Sequence, residues 1–135
     1  PDTLQIGSWD MVRQGQEIAI LGIGNMVQIA IDSMDILDPN FYNPTIVNAR
    51  FIKPLDKDML TQIAEDHKKI ITIEDNTLEG GFGSKVVKFI NDNELDCKVQ
   101  TMGIPDHFIE HGSRQQLLEL VGLTSENLVN IIKSE

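Results

Sequence analysis

The sequence predicts an α/β fold: a three-layer sandwich on a mostly parallel sheet of about five strands, with one candidate antiparallel edge strand. Three observations point there. Short runs rich in Ile and Val alternate with longer stretches whose apolar residues recur at helical spacing. Clusters of Gly, Pro, Asn and Asp separate them. The stretch over residues 70–90 holds one complete repeating unit. It runs from an apolar strand at 70–73, through a polar turn Glu74-Asp75-Asn76-Thr77, to a helix carrying Phe82, Val86, Val87 and Ile90. Gly80 and Gly81 sit just before that helix, and Gly83 lies in its first turn. Strands joined through helices need crossovers, which are right-handed in nearly all proteins and place helices on both faces of a parallel sheet.

The other elements follow in order. Residues 9–13 predict a short edge strand, closed by the turn Arg13-Gln14-Gly15. Ile18-Ala19-Ile20-Leu21 is a continuous apolar run, as expected of a strand buried on both faces. Gly22 and Gly24 end it. Met26, Ile29, Ala30, Ser33, Met34 and Leu37 then share one helical face, and Asp38-Pro39-Asn40 stops the helix. Thr45-Ile46-Val47 predicts the next strand. Asp56 is placed to cap a helix that buries Met59, Leu60, Ile63, Ala64 and His67. Residues 99–102 predict the last strand, broken by Gly103-Ile104-Pro105-Asp106. Ser113 with Gln116 forms a capping-box pattern ahead of Leu117, Leu118 and Val121, and Gly122 closes that helix. A final helix starts at Thr124 or Ser125 and uses Leu128, Ile131 and Ile132. Residues 1–17 are expected to be a connecting segment with the edge strand, and 18–135 the α/β domain.

A chain of 135 residues with 41% hydrophobic and 24% charged residues has the composition of one globular domain. Its 11 Lys and Arg against 21 Asp and Glu give a net charge of −10, a poor match for nucleic acid or an anionic membrane. Cys97 stands alone, which rules out an internal disulfide and a Cys-rich zinc site and fits a reducing, cytoplasmic setting. No apolar run approaches the ~20 residues of a membrane span, and no signal peptide is recognisable. The first residue is Pro1, not Met, as in a piece of a longer protein.

Several motifs carry potential chemistry. Gly22-Ile23-Gly24-Asn25-Met26-Val27 occupies the place of a dinucleotide fingerprint, yet Val27 replaces the third glycine. The following strand ends in Asn48-Ala49-Arg50 without the acidic residue that would bind a ribose, so a tight structural turn is the simpler reading. Gly80-Gly81-Phe82-Gly83-Ser84 at a helix amino end could hold an anion on free N–H groups. Glycine there equally permits close backbone packing, and Glu74 and Asp75 would repel a phosphate. Those two carboxylates are adjacent on an extended chain, so they face opposite ways and make no acid–base pair. His107-Phe108-Ile109-Glu110-His111 spells an H-x-x-E-H zinc pattern, but Pro105 and Gly112 frame it as a loop, and a packing role fits better than metal. Neither a Ser-His-Asp arrangement nor a His beside Cys97 is visible. The residues predict no catalytic, cofactor-binding or metal site.

Three stretches, taken together, resemble a known family. They are Val47-Asn48-Ala49-Arg50-Phe51-Ile52-Lys53-Pro54-Leu55-Asp56, then Thr72-Ile73-Glu74-Asp75-Asn76 with Gly80-Gly81-Phe82-Gly83-Ser84, then residues 103–112, GIPDHFIEHG. In this order they resemble the C-terminal domain of the 1-deoxy-D-xylulose-5-phosphate synthases, transketolase-like enzymes dependent on thiamine diphosphate. The resemblance implies a transketolase C-terminal-like fold and a parent enzyme, a homodimer. That enzyme would condense pyruvate with D-glyceraldehyde 3-phosphate for isoprenoid, thiamine and pyridoxal synthesis. It also implies that thiamine diphosphate and Mg²⁺ are held by the upstream domains, because the family's Gly-Asp-Gly motif and activating glutamate are absent here. The expected role of this chain is structural, packing on those domains and supporting the dimer. Glu74, Asp75, Asn76, Gly80, Gly81, Gly83, Asp106, His107 and His111 are the expected interdomain or dimer contacts. A module for a separate partner protein, or a small-anion regulatory site at Gly80 to Ser84, are the alternatives.

Overall fold

The computed structural model describes residues 9–50, 55–77, 81–104 and 112–134. Among them are five strands, β1 Asp10–Arg13, β2 Glu17–Gly22, β3 Thr45–Asn48, β4 His67–Thr77 and β5 Lys98–Ile104. The helices are α1 Met26–Ser33, α2 Lys57–Asp66, α3 Phe82–Asp92, α4 Arg114–Val121 and α5 Ser125–Lys133. The strands form one sheet in the order β1-β3-β2-β4-β5. β1 pairs antiparallel with β3, and every other pairing is parallel. The predicted fold class, antiparallel edge strand included, is therefore the observed one.

Each face of the sheet carries its own core. Ile20, Ile46, Ile71, Ile73 and Met102 face Met26, Val27 and Ala30 of α1 and Leu128, Val129 and Ile132 of α5. The alternate residues Ala19, Leu21, Val47 and Ile70 face Leu60, Ile63 and Ala64 of α2 and Phe82, Val86 and Ile90 of α3. A strand sends successive side chains to opposite faces, so the apolar runs of β2 and β4 feed both cores at once. β1 is held at the sheet edge by an Arg50–Asp10 ion pair of 3.1 Å and by Trp9 stacked edge-on against Phe82.

The caps fall where they were expected. Asp56 Oδ1 accepts the Met59 N–H at 3.1 Å, and Ser113 and Gln116 form the reciprocal capping box. Gly122 takes a left-handed φ of 81°, which ends α4.

Four expectations need correction. β4 does not stop at Ile73: the predicted turn 74–77 continues the strand, with Thr77 paired to Ile104 after an irregularity. Pairing with β5 outweighs the poor strand propensity of Glu, Asp and Asn. β5 likewise runs through Gly103 to Ile104 instead of breaking there. α1 ends at Ser33, and the chain reaches the buried Leu37 through tighter turns such as Met34 N–H to Ile31 O. His67 is not on the α2 face: it is that helix's C-cap and the first residue of β4, though it is buried all the same.

Candidate functional site

Strands β2 to β5 run in one direction, so their carboxyl ends gather along a single edge of the sheet. That edge brings together the ends of β2 at Gly22, β3 at Asn48, β4 at Glu74 and beyond, and β5 at Gly103 and Ile104. Open α/β sheets place their sites at this edge.

Glu74 is fully buried there. Its Oε1 accepts the Phe82 N–H at 2.9 Å and its Oε2 accepts the Gly83 N–H at 2.6 Å. These amides belong to the first turn of α3, where no intrahelical acceptor exists. Burial pushes the Glu74 carboxyl above its ordinary range. The Gly83 and Phe82 amides and the Lys85 charge pull it back down, while Asp75 adds to the rise. The anion that the glycine-rich loop could attract is thus a carboxylate of the chain itself.

Gly83 is the residue that makes this approach fit. A Cβ added to it would stand 2.6 Å from Thr101 Cγ2, 2.8 Å from Thr72 Oγ1 and 3.1 Å from Glu74 Oε2. Glycine there lets α3 pack onto β4 and β5, in line with the close-packing reading. The Thr72 hydroxyl is buried and has no hydrogen-bond partner among the described residues.

Of the other expected contact residues, Asp75 follows on β4 and is half-buried, Asn76 is part of the same strand, and Gly81 is the α3 N-cap. Gly80, Asp106, His107 and His111 lie outside the described residues, as does the rest of the H-x-x-E-H motif. Among the described residues no group of three His, Cys, Asp or Glu could hold a metal ion.

The second glycine loop is also closed. Met26, Val27 and Gln28 give their N–H groups to the carbonyls of Ile23, Gly24 and Asn25 at 3.1 to 3.2 Å. Gly22 packs against the Val27 backbone, with only 3.0 Å left for a Cβ, and Gly24 supplies a left-handed φ of 58°. Ile23 N–H bonds the Ile73 carbonyl and Ala49 N–H bonds the Gly22 carbonyl, which ties the three strand ends together. These donors are therefore not free for a diphosphate, and those of α3 that reach Glu74 are spent too. Neither loop, in its described donors, fits the diphosphate of thiamine diphosphate.

Sequence reasoning missed one polar network. His67 Nδ1 lies 2.7 Å from the Ile63 carbonyl and Nε2 lies 2.7 Å from Thr45 Oγ1, which also accepts the Gly15 N–H at 2.9 Å. Every member is satisfied when Nδ1 donates to the carbonyl and the Thr45 hydroxyl donates to Nε2. Nothing in the local pattern around Thr45 or His67 announces it, because its members come from separate elements.

The profile of the family "Transketolase, C-terminal domain" matches residues 7–128. The chain belongs to the transketolase C-terminal domain family. This transketolase C-terminal domain is similar to the 1-deoxy-D-xylulose-5-phosphate synthase of Lysinibacillus sphaericus, with 47% identity over 127 residues, 93% of this chain and 20% of that protein. The synthase of Bacillus velezensis is 42% identical over 132 residues, 97% of this chain and 21% of that protein. The domain thus spans about a fifth of the length of the curated relatives it matches. Among solved structures, the "Split gene transketolase, inactive beta4 tetramer" superposes with a TM-score of 0.86 at 27% identity, covering 96% of this chain and 42% of that one. The transketolase of Campylobacter jejuni has the same fold, with a TM-score of 0.69 at 20% identity over 100% of this chain and 20% of that one.

Proposed function

We propose that this chain is the C-terminal domain of a 1-deoxy-D-xylulose-5-phosphate synthase, with a structural and dimer-supporting role and no catalytic residue of its own. The observation that carries this reading is the 47% identity over 93% of the chain to one-fifth of such a synthase. The parent would be a thiamine-diphosphate-dependent transferase that joins pyruvate to D-glyceraldehyde 3-phosphate with loss of carbon dioxide. Its product would enter isoprenoid and thiamine synthesis. Thiamine diphosphate and Mg²⁺ would sit in the upstream domains of a cytoplasmic homodimer. Among the described residues no helix is long and apolar enough to cross a membrane.

The contact face of the domain would be the carboxyl edge of the sheet, where Asp75, Asn76 and Gly81 lie; Gly80, Asp106, His107 and His111 are assigned to the same contact from the sequence alone. Glu74 and Gly83 shape that face from beneath, since both are buried. The test is a charge reversal in the full-length synthase at Asp75, Asp106 and His111. The reading expects a weakened dimer by sedimentation, and lower turnover with it. Three variants with wild-type assembly and turnover would sink it. Calorimetry of the chain alone with thiamine diphosphate and Mg²⁺ is expected to give no saturable heat, and a stoichiometric isotherm would contradict the non-catalytic role.

A further inference from the structure

The amino end of α3 has the makings of an anion site in a helix of 11 residues. Two of its first-turn amides, Phe82 N–H and Gly83 N–H, converge on one carboxyl group at 2.9 and 2.6 Å. A second observation is independent of the helix. Thr72 lies on the same face of β4 as Glu74, is fully buried, and carries a hydroxyl with no partner among the described residues. Its Oγ1 and the Glu74 Oε2 flank one point, the place where a Gly83 side chain would begin, at 2.8 and 3.1 Å. A buried hydroxyl left unpaired is costly, so its position beside a carboxylate calls for an explanation.

We propose that Phe82 N–H and Gly83 N–H form a carboxylate-binding nest beside the Thr72 hydroxyl, which the chain fills with its own Glu74 through the two amides alone, leaving that hydroxyl unpaired, and which thereby fixes the start of α3. Glu74 acts as a positioning residue: it fastens the outer end of β4 to the first turn of α3, just after its N-cap Gly81. The link from the nest to the contact face rests on the reading above; the nest itself does not. Because the native chain supplies the ligand, free anions do not compete for the site unless Glu74 is removed.

The burial of Glu74 also has a pH signature, against which the two amides act. Among the described residues, the charged groups that act on Glu74 are Lys85 from α3 and Asp75 from β4; Thr101, its neighbour on β5, does not titrate. Burial dominates and raises the carboxyl pKa above 4.5. The folded chain therefore holds this proton more tightly than the unfolded one. The resulting stabilisation is complete below the ordinary carboxyl range and is lost as pH rises through the raised value.

The experiment is amide exchange at Phe82 and Gly83 in the 135-residue chain, comparing wild type with Glu74→Ala under added sodium formate. Sodium chloride at equal ionic strength is the control. The expected result is at least ~10-fold faster exchange at both amides in Glu74→Ala, restored saturably by formate, with no formate effect on wild type. Amides that stay protected without Glu74, or formate and chloride acting alike, would overturn the nest. Should Glu74→Ala not fold, Glu74→Gln serves: its side chain keeps one acceptor oxygen for two amides, so exchange at Phe82 or Gly83 is expected to quicken, and wild-type protection at both would overturn the nest. An intact formate rescue beside a full-length dimer indifferent to Glu74→Ala would overturn only the link to the contact face.

Discussion

A methyl group on Gly83 has no room, because Thr101 and Thr72 already stand within 2.8 Å of where it would lie. Gly83→Ala should cost about 1–3 kcal/mol through overpacking, read as a lower urea midpoint. An unchanged midpoint would mean that α3 can ride up from β4 and β5 at no cost. Cys97 gives a second prediction. Burial, with Asp96 beside it, pushes its thiol up to about 11. Only the thiolate alkylates, so at pH 8 the native thiol should react roughly 100-fold more slowly than the unfolded one. The matching stabilisation is intact below 9.0 and disappears as pH rises through about 11, so Cys97→Ala should be less sensitive to alkali. The sequence drew attention to Gly83 and to the lack of any activating partner for Cys97. It could not identify what Gly83 touches, because Thr72 and Thr101 come from two different strands.

Helix α2 illustrates how one capping residue can serve two elements. Asp56 Oδ1 holds the Met59 N–H, while Oδ2 takes the Trp9 N–H at 3.0 Å just before β1. Asp56→Ala should therefore cost about 1–2 kcal/mol for the cap, and about 1 kcal/mol more for the lost tether to β1. Asp56→Asn keeps an acceptor for Met59 and loses one for Trp9, so its urea midpoint should fall between wild type and Asp56→Ala. A midpoint for Asn equal to wild type would show that the tether contributes nothing. The cap was readable from Asp56 beside an apolar periodic run. The tether was not, since its partner lies 47 residues upstream. For the same reason the lengths of β4 and α1 departed from expectation: β4 extends beyond its apolar run at both ends, from His67 to Thr77, and α1 stops at Ser33.

As one folding unit, the molecule has two cores that share a single sheet, with β2 and β4 contributing to both. Neither core can persist when the sheet opens, so unfolding should be a single cooperative step. The sole tryptophan, Trp9, offers a direct check. Its ring packs against Phe82 at 5.7 Å between centroids and 68° between planes, joining the flank of β1 to α3. Trp9 fluorescence and far-ultraviolet circular dichroism should share one urea midpoint. An earlier fluorescence transition would mean that the β1 flank detaches before the parallel sheet.

Sequence alone determined the kinds of element, their order and most of their caps, because periodicity, Gly and Pro punctuation and capping residues act within one or two turns. It also gave the parallel class, since helices between strands demand crossovers. Only the tertiary structure decided that the sheet runs β1-β3-β2-β4-β5, that the polar stretch 74–77 continues a strand, and that Glu74 is an interior ligand. Those outcomes depend on which distant groups arrive alongside. A carboxylate can remain buried when amides from the next helix replace its water, and no local pattern records that encounter.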